Sequence, residues 1–169
     1  MNNYAYIDNQ NLYLATKNAP EPWTVDMLRF RVYLREKYKV ERAYLFMGVY
    51  DKKYGARYKF YTECGYELMF RAHVPSTGSP KKGNVDTDVI FQMMHDYHHN
   101  LFDKCLLVTG DGDYFKTVDY LLKQNRFECL ILPSHKNASS LYKKITHDYY
   151  IYLDDASYKK KLEYDKREI

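Results

Sequence analysis

The chain has 169 residues, 46% of them hydrophobic, and a formal charge of +4, which is enough for one domain of ordinary size built around one sheet. Its 20 tyrosines inflate the apolar share, and a mean hydropathy of -0.66 fits a chain that works in water. No run approaches the roughly 18 apolar residues of a membrane helix, and the first residues lack the basic and apolar segments of a secretory signal, so the expectation is a cytoplasmic protein with no membrane partner.

In chain order, short apolar runs at residues 4–7, 43–49, 67–70, 105–109, 129–132 and 149–153 alternate with helical patterns. Thr24 can cap a helix reaching about residue 37, and residues 53–64 form a second that stops at Gly65. The stretch 73–83 holds Pro75, Gly78, Pro80 and Gly83 and reads as a loop feeding a helix over 85–100. Residues 114–124 carry Phe115, Val118, Leu121 and Leu122 on one stripe, and 139–145 form a short helix opened by serines. Runs that are apolar on both faces, such as Cys105-Leu106-Leu107-Val108, suit parallel strands covered on both sides, so the fold class is α/β with five or six mostly parallel strands. Residues 1–153 make the predicted domain, and 154–169 a charged C-terminal tail or helix with five basic and three acidic residues after Ala156 and Ser157. Cys64, Cys105 and Cys129 are odd in number and lie in apolar surroundings, as reduced packing residues do, and no C-x-x-C metal or redox motif exists.

Ligands of an open parallel sheet bind beyond the carboxyl ends of its strands. The first strand ends in Asp8-Asn9-Gln10-Asn11, and the run from Leu106 to Thr109 ends in Gly110-Asp111-Gly112-Asp113. The helix near Val85 opens with Asp86 and Asp88, which differ by about 200° of rotation and cannot both face one centre. Ile90, Met93, Met94 and Tyr97 fall on the stripe of Asp86, whereas Asp88 aligns with Gln92, His95 and His99, so Asp86 is the inward acid. Asp88 is then an acid behind it or a plain helix-terminal charge. Asp8, Asp86, Asp111 and Asp113 would converge, with Asn9, Asn11 and Thr109 close by as substrate-binding candidates. Four carboxylates in one place repel unless a hard cation joins them, which points to Mg²⁺ or Mn²⁺ and to phosphodiester hydrolysis.

These motifs together resemble the NYN family of PIN-like nucleases, including its LabA-like bacterial branch. The resemblance rests on Asp8-Asn9-Gln10-Asn11, Lys82-Gly83-Asn84-Val85-Asp86 and Thr109-Gly110-Asp111-Gly112-Asp113-Tyr114-Phe115. It implies a three-layer α/β/α, Rossmann-like sandwich and a metal-dependent endoribonuclease with Asp8, Asp86, Asp111 and Asp113 as catalytic and metal-holding acids. Many members carry another acid six residues beyond the helix Asp, where this chain has Gln92. Lys81 and Lys82 are placed to hold phosphates, and Arg57, with Lys52, Lys53, Lys59, Tyr54, Tyr58 and Tyr61, gives a basic and aromatic helix for RNA that is single-stranded or has unpaired bases. The resemblance also leaves a homodimer open. A catalytically weak RNA-binding or protein-interaction module of the same fold is the alternative, and a phosphatase-like domain ranks last because Gln10 stands where a second acid is needed. His95, His98 and His99 read as a solvent-exposed cluster rather than a zinc site.

Overall fold

The computed structural model describes residues 1–72 and 85–165. Six strands, β1 (Asn3–Asp8), β2 (Val40–Val49), β3 (Glu67–Arg71), β4 (Cys105–Val108), β5 (Phe127–Leu132) and β6 (Tyr150–Tyr152), form one sheet. Their order is β3-β2-β1-β4-β5-β6 and every pairing is parallel. All six apolar runs of the sequence are strands.

Strand alternation sends each run to two cores. Ala5, Ile7, Leu45, Leu106, Val108 and Ile131 face one side, where Leu12 of α1 (Asn9–Lys17), Phe30 and Leu34 of α2 (Met27–Tyr38) and Leu162 of α6 (Ala156–Leu162) cover them. Cys64 and Tyr66, just after α3 (Gly55–Glu63), join the same core. Tyr6, Tyr44, Phe46, Leu107 and Leu130 face the other side under Val89 and Met93 of α4 (Val85–His98) and Val118 and Leu121 of α5 (Phe115–Lys123). Helices on both faces of a parallel sheet make the α/β/α sandwich, as expected for strands apolar on both faces.

The chain winds outward from β1 to β2 and β3, then crosses back to β4 and winds the other way, so the switch point lies between β1 and β4. Cys64, Cys105 and Cys129 are free and buried, and burial pushes their thiols up, Cys129 to about 11. Gly65 follows α3 with φ 94°, a left-handed value that suits glycine at a helix end.

Three local expectations need correction. Residues 9–17 form a helix, whereas the sequence pattern gives Asp8-Asn9-Gln10-Asn11 as the end of the first strand and no helix there. The second helix starts later than Thr24, with Asp26 as its cap accepting from the Arg29 amide at 3.0 Å. Thr24 instead accepts the Tyr164 amide at 2.8 Å through its carbonyl. Residues 140–144 form a 3-10 helix, capped by Ser139, rather than an α-helix. The loop 73–83, with Lys81 and Lys82, lies outside the described residues. Among the described residues no helix is long and apolar enough to cross a membrane.

Candidate metal centre

Asp8 ends β1 and caps α1, accepting the Asn11 amide at 3.0 Å. It is 5% exposed. Across the switch point, the Gly110 amide donates to Asn11 Oδ1 at 2.8 Å and fastens the β1 turn to the loop after β4. Thr109 is fully buried, and its hydroxyl accepts the Asp111 amide at 3.2 Å. Asn11 and Thr109 thus shape the backbone that carries the acids. Asn9 lines a side cleft of about 310 Å³ with Leu12, Thr16, Trp23 and Tyr61.

Asp111 caps the single 3-10 turn Gly112–Tyr114, accepting from the Asp113 amide at 3.0 Å. Ser139 N–H donates to the Gly110 carbonyl at 2.8 Å, and the Tyr142 hydroxyl donates to the Asp111 carbonyl. That brace leaves no room beside Gly112, where an added Cβ would lie 3.0 Å from Ser139 Cβ and 3.2 Å from Leu141 Cδ1. Asp86, in the first turn of α4, is 8% exposed and faces inward as its stripe predicts. Asp88 is exposed and stands outside the cluster.

Carboxylate oxygens of Asp86, Asp111 and Asp113 all lie within 4.8 Å of one another. A hard cation whose oxygen ligands sit about 2.0–2.5 Å away can span such a set. Asp8 joins through Tyr114, whose hydroxyl donates to Asp86 Oδ1 at 2.7 Å and lies 3.3 Å from Asp8 Oδ2. Burial first, and then the charges of Asp86 and Asp111, push the Asp8 carboxyl above its ordinary value, against the lowering pull of the Asn11 amide and Tyr114. Burial beside two acids also pushes the Tyr114 phenol far up, so it stays a neutral donor. Repulsion among carboxylates, incompletely relieved by one phenol proton, is what a divalent cation would remove. The residues present therefore fit a hard divalent cation.

The sequence reading singled out the four acids but not Tyr114. The signal was available: Tyr114, Val118 and Leu121 are spaced four and three apart, which puts the ring on the inward stripe, where a buried phenol must find an acceptor. A second buried network also went unread, in which Asp96 of α4 accepts from Tyr6 at 2.6 Å and Gln92 at 2.8 Å and meets His95 Nδ1 at 3.0 Å. It pins α4 to β1 on the face that carries Asp86. His95, His98 and His99 are all exposed. His135, after β5, lies between Asp154 at 2.7 Å and Asp155 at 3.5 Å, after β6, one carboxylate at each ring nitrogen. With both nitrogens engaged, this group ties two loops together. Arg57 sits in the first turn of α3, exposed, with its guanidinium 5.1 Å from the Tyr54 ring centre.

Residues 4–154 match the NYN domain. The chain belongs to the NYN domain family. NYN domains are nuclease-like, and the match spans all six strands and the four acids. A crystal structure of a protein of unknown function from Vibrio parahaemolyticus is similar in fold, with a TM-score of 0.78 over 96% of each chain at 18% identity. No curated protein matches the chain.

Proposed function

We propose that this NYN protein is a metal-dependent endoribonuclease that hydrolyses RNA phosphodiester bonds at the acidic cluster. The observation that carries the reading is the convergence of Asp86, Asp111 and Asp113 from two separate elements, with Asp8 behind Tyr114, at the switch point of the sheet. Asp86, Asp111 and Asp113 would hold Mg²⁺ or Mn²⁺, with Asp8 completing the set. When bound, the ion supplies an acidified water and neutralises charge on the phosphate. Tyr114 fixes the spacing of Asp8 and Asp86, and the Asn11–Gly110 and Tyr142–Asp111 bonds hold the loop still, so the acids are positioned before substrate arrives. Lys81 and Lys82, outside the described residues, are proposed as phosphate contacts.

The test is cleavage of end-labelled single-stranded RNA with Mg²⁺, Mn²⁺ or EDTA, for wild type beside Asp86→Asn and Asp111→Asn. Cutting that needs the metal and falls about 100-fold or more in both variants is the expected result. RNA binding without turnover under any metal would replace the nuclease with a binding module of the same fold.

A further inference from the structure

Beside the acidic cluster, β2 continues three residues past Phe46, the partner of Asp8 in the sheet register, and ends at Val49. At about 3.3 Å per residue this raises a wall about 10 Å above the level of Asp8. On that wall stand Tyr50, 55% exposed, and Tyr54, 40% exposed. Their rings rest on a firm base, since Tyr50 lies 5.3 Å from both Tyr58 and Phe70, Tyr54 lies 6.4 Å from Tyr58, and Tyr58 and Phe70 are 4.8 Å apart. The two exposed tyrosines thus sit over a buried Tyr58 and a half-buried Phe70.

The charge around them is positive. Lys53 pairs with Asp51 and Lys59 with Glu63, but Lys52 and Arg57 are exposed with no carboxylate partner among the described residues. Arg71 ends β3, and its Nη1 is buried with no hydrogen-bond partner among the described residues. Leu68 and Met69 pack into opposite cores, so alternation sends Arg71 to the α4 face, the side that carries Asp8 and Asp86. A Cβ added at Gly48, near the end of β2, would meet nothing within 4 Å among the described residues.

Phe70 precedes Arg71 and alternates to the α3 face, so the two tyrosines stand across the end of the sheet from Asp8 and Asp86. Resting on the nuclease reading above, we propose that Tyr50 and Tyr54 are a stacking platform for unpaired bases of a single-stranded RNA that crosses the end of β2 to reach the acidic site. Lys52, Arg57 and Arg71 would meet its phosphates. Exposed tyrosines flanked by cations, with Lys53 Nζ 4.8 Å and the Arg57 guanidinium 5.1 Å from the Tyr54 ring centre, favour a single strand over a duplex, because paired bases keep their faces stacked on each other. The unpartnered cations favour a polyanion over an apolar peptide.

The test reads binding of a labelled oligouridine by fluorescence anisotropy in EDTA, where turnover plays no part, with a duplex RNA of equal length alongside. Tyr50→Ala/Tyr54→Ala should weaken single-strand binding about 10-fold or more and leave duplex binding unchanged. Tyr50→Phe/Tyr54→Phe, which keeps both rings, should bind like wild type. Phe91→Ala, 68% exposed on α4 and away from the wall, is the control for loss of any exposed ring and should also bind like wild type. Wild-type affinity in the alanine pair, no oligouridine binding by wild type, or equal losses on single strand and duplex would each overturn the platform. A protein that binds through these rings but never cuts keeps the platform and loses the nuclease. One that cuts while the alanine pair binds normally does the reverse.

Discussion

Asp8 closes α1 through the Asn11 amide while facing Asp86 across the Tyr114 hydroxyl, so one carboxylate serves both folding and the site. Its pKa is raised above 3.8 on folding, mainly by burial. A raised carboxyl favours the folded chain most at pH below 3.8, and that contribution is lost as pH rises through the higher folded value. Near pH 7 the charged Asp8 therefore opposes the metal-free fold. Asp8→Asn keeps an acceptor suited to the cap and removes the charge. The expected outcome in EDTA is a higher melting temperature than wild type, on the order of 2–4 °C for each kcal/mol relieved, with the gain shrinking from pH 8 toward pH 4.5. RNA cleavage in Mn²⁺ should fall in the same variant. A lower melting temperature for Asp8→Asn at neutral pH would show that the carboxylate supports the fold there. At this scale the acids were legible because Asp at strand ends and helix starts stands out in sequence. Tyr114 is harder to single out among 20 tyrosines: its spacing with Val118 and Leu121 marks it as inward, but only the fold shows that its acceptors are Asp8 and Asp86.

At the scale of elements, the loop after β4 is held from outside by residues 137–142, a contact that no short-range pattern carries. The sequence reading found the strand, the Gly-Asp-Gly-Asp run and the serines, but not that the serines brace the run. The strands were legible because each is apolar on both faces, which few helices are. The first helix was hidden because only Leu12, Ala15 and Thr16 of its nine residues are buried, too little for a clear stripe, and because its cap is the same Asp8 read as a site acid. Gly112→Ala tests the brace. The new methyl meets Ser139 Cβ and Leu141, which cannot both yield without moving the backbone, so the variant should lose about 1–3 kcal/mol in urea melts. Because Gly112 separates Asp111 from Asp113, it should also need more Mn²⁺ for half-maximal cleavage. A variant with wild-type melting and wild-type Mn²⁺ dependence would mean that the loop yields freely and that the brace does not position the acids.

For the whole molecule, the two cores are closed by pieces far apart in sequence, and α6 is the clearest case. Composition marks the chain end as charged, with Lys159, Lys160 and Lys161 in one row, yet Leu162 beside them is 2% exposed. Its carbonyl accepts the Asp26 amide at 2.7 Å at the start of α2, Tyr164 N–H donates to Thr24, and Lys159 lies over Trp23 at 5.9 Å. A single buried Leu in a lysine-rich heptapeptide gives no periodic signal, which is why a sequence reading sees only the charge. Deleting residues 156–169 leaves His135, Asp154 and Asp155 in the chain and removes this cover, with the contacts of Tyr158 to Tyr33 and Lys37. Burial of Leu162 is worth about 1.5–3 kcal/mol and the two backbone bonds about 0.5–1.5 kcal/mol each, so the deletion should cost about 2.5–6 kcal/mol. At roughly 2–4 °C per kcal/mol the melting temperature should drop by at least about 5 °C. Because α6 packs on α2 and the acids stand on the opposite face with α4 and α5, cleavage measured well below the new melting point should keep its metal dependence. An unchanged melting temperature would make the segment an appendage, and lost cleavage in a chain that is still folded would tie it to the site.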